Sequence, residues 1–573
     1  MTKKFNLIHE PWITVLARDG STKDISINDA LKNAKDYVSL AGENRLQDIA
    51  ILRMLSALTV TIMYRYDKNG NRRDLKDKKE GFRLYKNALK DGLPSSMTDA
   101  YLNEWENRFY LFDDEHPFMQ VAKNRFIVTD KKPSKDKWNP LGRVVVAESK
   151  KGLAAINYFP AKTWVGTILE SNHTKSPFAN YEDRDNLKLT YSEAARWLVW
   201  FLSFSPCSVK NPGYFQSKMT WASGGALLTP YGENLHETIL LNSVLFNGAK
   251  IYKEVSPIWE RETTSRCEFA PYGENGHPDN LPELYTQQSR KLRLYEENGS
   301  VLGMFVVSGD YYGKENAFAE PMFMWKKSKG KDGEQNRFLP KLRNQTAPVW
   351  KELSCIIPFD KKDNSDNNKK KSGDFKAPGI VTWIGTLYEE EILDPEKINI
   401  PYQVTGVFYG SMNGALDKTV EDQIIINKKY FDPDISFKFE DTISLINKIS
   451  EAVNNFSKNV ALSTGINQKR AGNKAQIGKM RYEERISEPV LQCLGNAISI
   501  DELQTVAFRY ANDLANELIE SAPIYAYTGC EVKDKKDKNK SYHMNIACAE
   551  TIFNKRLNTM YKQTKKRKEG PNA

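Results

Sequence analysis

Three short stretches of this sequence hold residue types suited to recognition rather than to bond-making. Lys210-Asn211-Pro212-Gly213-Tyr214-Phe215-Gln216-Ser217-Lys218 follows an apolar helical segment. It offers backbone amides, a glycine that permits close approach, an aromatic ring and two lysines. Lys210, Asn211, Gly213, Tyr214 and Gln216 are its candidate contacts to DNA; the alternative is a plain connecting loop. Ser289-Arg290-Lys291-Leu292-Arg293-Leu294-Tyr295 precedes Asn298-Gly299, a favoured two-residue turn, and then Val301 to Ser308, so a β-hairpin is expected. Alternation places Leu292 and Leu294 on a covered face and Lys291 and Arg293 on the opposite, wet face. Arg290, Lys291 and Arg293 are then either solvated cations or a basic finger aimed at DNA. In Gly406-Val407-Phe408-Tyr409-Gly410-Ser411-Met412-Asn413-Gly414-Ala415, glycines flank an apolar residue and an amide. Gly410, Met412 and Asn413 suit a tight hairpin tip that wedges between base pairs, or an ordinary turn.

Bond-breaking chemistry finds little support. The chain lacks a G-x-x-x-x-G-K-[ST] phosphate loop, H-E-x-x-H, G-x-S-x-G and a His-Asp dipeptide. Asp113-Asp114-Glu115-His116 superficially resembles a helicase box, but without a phosphate loop it reads as acids at a helix end before a proline. With six histidines in 573 residues, a multi-metal site would need mostly carboxylate ligands. The six cysteines are scattered, and the closest pair, Cys530 and Cys548, is 18 residues apart, so no zinc ribbon is expected. No catalytic residue, metal or cofactor is expected; a hydrolase stays as the least favoured alternative.

The elements that position these stretches are mixed in kind. Trp12 to Leu16, Asp19-Gly20 and Ile25 to Ile27 read as a hairpin, after which Asn28-Asp29 caps a short helix. Gln47–Tyr64 and Ser192–Phe204 read as buried helices, and Thr98 as the cap of another. Lys-rich stretches at Asp67–Lys79, Asp130–Lys137 and Lys361–Lys376 read as solvated loops able to touch phosphates. Beyond Asp432-Pro433-Asp434 apolar residues recur at helical spacing. The seams are Ile446/Ile449/Val453/Phe456/Val460, Leu503/Val506/Tyr510/Leu514/Leu518 and Ile546/Ala549/Phe553/Leu557/Met560, with a weaker one from Met480 to Leu494 across Pro489. The expected fold class is α+β. An irregular mixed α/β domain over 1–435 carries the recognition loops, and a four-helix bundle over 436–573 ends in a basic tail. The net charge of +10 fits an anionic partner. The start lacks a signal-peptide core. Leu46–Tyr64, broken by Asp48 and Arg53, falls short of the roughly 18 uncharged residues of a membrane span. A cytoplasmic protein is expected.

Two strings give the chain a family likeness. Leu7-Ile8-His9-Glu10-Pro11-Trp12-Ile13, with Val15, resembles the opening of the CasA family, the large subunit of type I-E CRISPR Cascade surveillance complexes. Phe109-Tyr110-Leu111 and His116-Pro117-Phe118-Met119-Gln120 resemble that family's most recognisable internal string. The resemblance spans essentially the whole chain. It implies a non-catalytic reader that inspects duplex DNA from the minor groove for a protospacer-adjacent motif and helps open it for guide pairing. It further implies recruitment of a helicase–nuclease, and as partners the other Cascade subunits, the CRISPR guide RNA and target double-stranded DNA. The family's Gly-rich loop, basic finger and amide-bearing wedge correspond here to Asn211–Gln216, to Lys291 or Arg293, and to Met412-Asn413. The loop here has one glycine where relatives can have several, and Asn413 replaces a familiar glutamine. The cysteines of a metal site found in some members are missing, and His116–Gln120 reads as a core-docking turn. A rival reading is an assembly scaffold that touches guide RNA and partner subunits without reading the duplex.

Overall fold

The computed structural model describes residues 3–134, 139–149, 152–165, 187–206, 219–246, 248, 250–262, 272, 276–328, 337–357, 374–410, 416–533 and 541–569. The chain divides into two compact units, one of Met1–Gln345 with Asn367–Gln423, the other of Thr346–Asp366 with Ile424–Ala573.

The first unit is mixed α/β, built round the helix Arg45–Arg65, which starts where the Asn44 side chain accepts from the Gln47 amide (2.9 Å). This helix is apolar on every side because every side is covered: the helices Tyr191–Phe204, Leu281–Tyr285 and Leu235–Leu241 all pack on it. By length and composition it could cross a membrane, but that whole window is buried in the protein. The sheets are short, and antiparallel pairing recurs in them. The opening hairpin forms as Ile13–Ala17 against Thr22–Ile25, with Gly20 at φ 84° in its turn. The next helix, Ile27–Lys32, is capped by Ser26, whose Oγ accepts from the Asp29 amide; Asn28 and Asp29 lie inside it. Thr98 is likewise no cap. The helix Ser95–Trp105 starts after Pro94, and Thr98 donates back to the Ser95 carbonyl (2.9 Å).

The two family strings meet in this unit. Strand Lys4–Asn6 pairs with Tyr110–Phe112, and the Leu7 amide donates to the Phe109 carbonyl (2.9 Å). Trp12 is fully buried and donates from Nε1 to the Leu7 carbonyl (3.1 Å). Gln120 is spent on the core: Nε2 donates to the Leu111 carbonyl, and Oε1 accepts from the Leu294 amide. Phe118 stacks on Phe109 and on Trp259, which also meet each other, so the three rings form one cluster. The string is thus a docking turn that fixes the hairpin beginning at Arg290.

The second unit is organised by the 31-residue helix Pro433–Ser463, whose first amides bond to the Asp432 side chain. The helices Gln468–Leu494, Ile500–Glu520 and Ile546–Glu569 each pack on it. Gly478 lets one approach closely, since a Cβ there would sit 2.0 Å from Ser457 Oγ. The weak Met480–Leu494 seam belongs to a 27-residue helix that carries Pro489 inside it. In Ile500–Glu520 the buried stripe is Leu503, Ala507, Ala511 and Leu514, so Val506, Tyr510 and Leu518 sit beside the seam. A small hairpin, Cys530–Lys533 with Ser541–Met544, was not foreseen.

Candidate nucleic-acid interface

The hairpin forms as expected. Arg290–Glu297 pairs with Ser300–Ser308, and Asn298 (φ 52°) and Gly299 (φ 79°) make the turn their dipeptide favours. Its cations, however, do not face water. Lys291 and Arg293 lie opposite Val307 and Phe305, and directly opposed residues share a face. Val307 and Phe305 belong to a buried cluster with Val121, Phe126, Val145 and Ala147. The face expected to be wet is therefore covered, and each cation is committed internally. Lys291, 3 % exposed, donates to Asp310 Oδ2 (2.7 Å) and to Gln288 Oε1. Arg293 donates to the carbonyls of Asp113 and Val121 and pairs with Asp114 at 3.4 Å. Burial pushes its guanidinium pKa down from the usual arginine range. Arg290, fully buried, donates to the carbonyls of Ser289 and Pro206 (2.7 and 2.8 Å).

The loop residues Lys210, Asn211, Gly213, Tyr214 and Gln216, and the tip residues Met412 and Asn413, lie outside the described residues. What flanks them is described. Gly406 to Tyr409 are not at a tip but inside the strand Asn399–Tyr409, a sheet neighbour of Leu416–Asn427. Gly406 is needed there because a Cβ would meet Arg343 Cβ at 2.7 Å. Gly410 directly follows the strand.

These flanks converge. Tyr409 Oη donates to the Phe204 carbonyl (2.7 Å), at the end of the helix that leads into 207–218. The same oxygen lies 2.5 Å from Ser223 Oγ, which is 2.7 Å from Thr220 Oγ1, just beyond that stretch. The Trp221 amide donates to Ser289 Oγ (3.3 Å), next to Arg290. The residues on either side of the 207–218 stretch, the base of the hairpin and the strand end before Gly410 are thus joined in one hydrogen-bonded patch. Sequence reasoning missed Tyr409, Thr220, Ser223 and Asp310. Only Tyr409 carried a signal, as the polar aromatic that precedes Gly410.

Comparison with known proteins now decides the family. A model described as CRISPR-associated protein Cse1 matches residues 6–517. The chain belongs to this family. A CasA/Cse1 protein of Thermus thermophilus is 26 % identical over 363 residues, which are 62 % of this chain and 61 % of that relative's length. The solved structure of Thermobifida fusca Cse1 is 22 % identical, with 97 % of this chain and 98 % of that one aligned at a TM-score of 0.74. Cse1 of Acidimicrobium ferrooxidans gives 20 % identity over 98 % of this chain and 99 % of its own, at a TM-score of 0.68. A chain of a solved CRISPR RNA-guided surveillance complex gives 13 % identity over 91 % of this chain and 100 % of its own, at a TM-score of 0.60. At these identities the structural likenesses speak for the fold alone, which the family members share from end to end. Among the described residues no group of three or more His, Cys, Asp or Glu side chains is placed to hold a metal ion.

Proposed function

We propose that this chain is the large subunit of an RNA-guided CRISPR surveillance complex, and that it reads duplex DNA without breaking bonds in it. The observation that carries the reading is the shared root of the three stretches that the sequence singles out for DNA contact. In this reading the complex works in the cytoplasm. Loop residues 210–216 and the tip at Met412-Asn413 meet the minor groove at a protospacer-adjacent motif. Minor-groove patterns are degenerate, so several related motifs are tolerated, and discrimination passes to guide pairing. The internally bonded cations Arg290, Lys291 and Arg293 hold the platform. The helices of the second unit, as a four-helix bundle, dock partner subunits, and the opened duplex is then passed to a recruited helicase–nuclease.

The test is a footprint of the assembled complex on motif-bearing duplex, with and without this chain. Protection beside the motif is expected to vanish without it, and unchanged protection would refute the reading. Asn413→Ala is expected to slow strand opening, followed by a fluorescent base analogue, more than it weakens initial capture. One observation favours the scaffold alternative: all three hairpin cations are engaged within the fold. That alternative expects the guide RNA contacts alone to change when the chain is removed.

A further inference from the structure

We infer that the first unit holds a single pyrimidine nucleotide in a bowl walled by Phe246, Tyr252, Phe318, Trp325 and Trp383. The inference rests on the nucleic-acid partner proposed above, but not on motif recognition. Protein interiors are close-packed, yet these rings leave about 110 Å³ of room between them. The walls are fixed from outside the bowl. Trp325 pairs with Lys376 across two antiparallel strands. The helix Gly379–Glu389, which carries Trp383, is held at its start by the Ile380 amide, which donates to the Pro321 carbonyl (2.9 Å). Phe82 stacks on Trp383 (5.9 Å between centroids), and Trp383 Nε1 donates to Tyr85 Oη (3.4 Å). Aromatic walls suit either a cation or a planar ring. Charge decides between them. Lys376 Nζ stands 3.4 Å over the Phe318 ring. Lys78 Nζ lies 5.7 Å from the Phe246 ring and donates to the Gly248 carbonyl on the rim (3.1 Å). A cationic guest would meet two cations already seated on the rings, so the guest carries negative charge beside its ring. A nucleotide has both, a π-face for the walls and a phosphate for the two lysines. Thr382, exposed on the rim, offers a hydroxyl to the edge of the base. Size narrows the base further. A closed cavity of roughly 150 Å³ takes up benzene. A bowl of about 110 Å³ with an open rim therefore seats one six-membered ring, with its sugar outside, and not a fused purine.

The purified chain is titrated with fluorescein-labelled oligo(U), oligo(dT) and oligo(dA) in a polarisation assay. Oligo(U) and oligo(dT) are expected to bind, and oligo(dA) to bind about tenfold more weakly, the scale of one lost stack. Thr382→Trp, which fills the bowl from an exposed position, should erase that preference, and Thr382→Ser should keep it. Lys78→Gln and Lys376→Gln should each lower the dependence of log affinity on log salt by about 0.7. Equal or tighter binding of oligo(dA), or a preference untouched by Thr382→Trp, would overturn the inference. Should Thr382→Trp fail to fold in thermal unfolding, the salt slopes decide, and slopes left at the parent value refute it. In the assembled complex, 4-thiouridine in the guide RNA and 4-thiothymidine in the target DNA tell the two sources of the base apart by which of them crosslinks to Phe246, Tyr252 or Trp383. Crosslinks from neither also refute it. Duplex reading is judged separately, since its footprint can fail while oligo(U) still binds the purified chain.

Discussion

Cations gather both at the base of the hairpin in the first unit and on the helices of the second, but they live under different rules. Arg290 and Lys291 are out of water and locked to carbonyls and to Asp310. Arg481 and Arg485 meet Glu517 with 44, 35 and 41 % of their side chains exposed. A charge in the interior is tolerated only when paired, so removing its partner leaves a penalty that water cannot relieve. A surface pair gains little over two hydrated ions. The lesson is that counting cations does not locate a phosphate-binding face; burial decides which of them are already spoken for.

The largest effect should come from the most deeply buried pair. Arg53 donates to both oxygens of Glu320 (3.0 and 2.7 Å), and Trp221 Nε1 donates to the same carboxylate (2.6 Å). Glu320→Ala is expected to cost about 3–5 kcal/mol in urea unfolding, because Arg53 stays buried and unpaired. Trp221 also stands at the root of the 207–218 stretch, so motif discrimination should fall with stability. A loss near the surface-pair level, below about 1 kcal/mol, would erase the contrast between the two regions.

Lys291→Met comes next, at about 1–3 kcal/mol for the buried charge-assisted bond that it removes. This variant separates structure from contact. A lysine that touches phosphate lowers the dependence of log affinity on log salt by about one when removed. A lysine spent on Asp310 lowers stability and leaves that slope intact, and the intact slope is the expected result. Lys291→Met combined with Asp310→Leu should lose less than the two single losses added, since the two side chains share one bond.

That contrast also explains what the sequence could show. The Asn298-Gly299 turn is local chemistry, and it fixed the hairpin's existence; its register holds for Glu297 with Ser300 and Glu296 with Val301, then shifts at Tyr295, so the turn alone did not set the partners of Lys291 and Arg293. The strings at Leu7–Val15 and Phe109–Gln120 announced the family, and the structure pairs them. The covering of Lys291 was half legible: Val301 to Val307 is apolar on both faces of its strand, the signature of a sheet covered on both sides. Alternation in Arg290–Glu297, read by itself, tells which residues share a face but not whether that face is wet. In Ile500–Glu520 the seam turned towards Ala507 and Ala511 because small residues let helices approach, a tertiary effect. Tyr409, Thr220 and Ser223 left no periodic trace, because hydroxyl partners 186 and 205 positions apart carry no spacing signal.

Titration should sharpen the same comparison, since a buried and an exposed carboxylate shift in opposite directions. Burial pushes Asp48 up to about 6, against an accepted bond from the Gly42 amide and the nearby Arg45. Its folded state holds the proton more tightly than the unfolded chain does. The contribution to stability is therefore full below the unfolded value of about 4, and is lost as pH rises through about 6. Asp48→Asn is expected to gain on the parent across that window, by on the order of 2 kcal/mol at neutral pH, in thermal unfolding against pH. A parent curve parallel to the variant's from pH 4 to 7 would count against the buried reading.

Glu517 supplies the opposite sign and the smallest effect. The hydrogen bonds from Arg485 hold its carboxyl below the ordinary glutamate range. Its contribution is thus present above the unfolded value of about 4.3, and is lost as pH falls through the lowered folded one. The geometry is good: Arg485 donates from both terminal nitrogens to both oxygens (2.7 and 2.8 Å), and Arg481 adds a third bond (2.8 Å). Solvent nevertheless competes at every one of these atoms, and salt screens what remains. Arg485→Ala is therefore expected to cost about 0.5 kcal/mol at low salt, and less at high salt, in urea unfolding. A loss of several kcal/mol, insensitive to salt, would place this pair in the class of Arg53 and Glu320 and show that exposure is the wrong divider between the two regions.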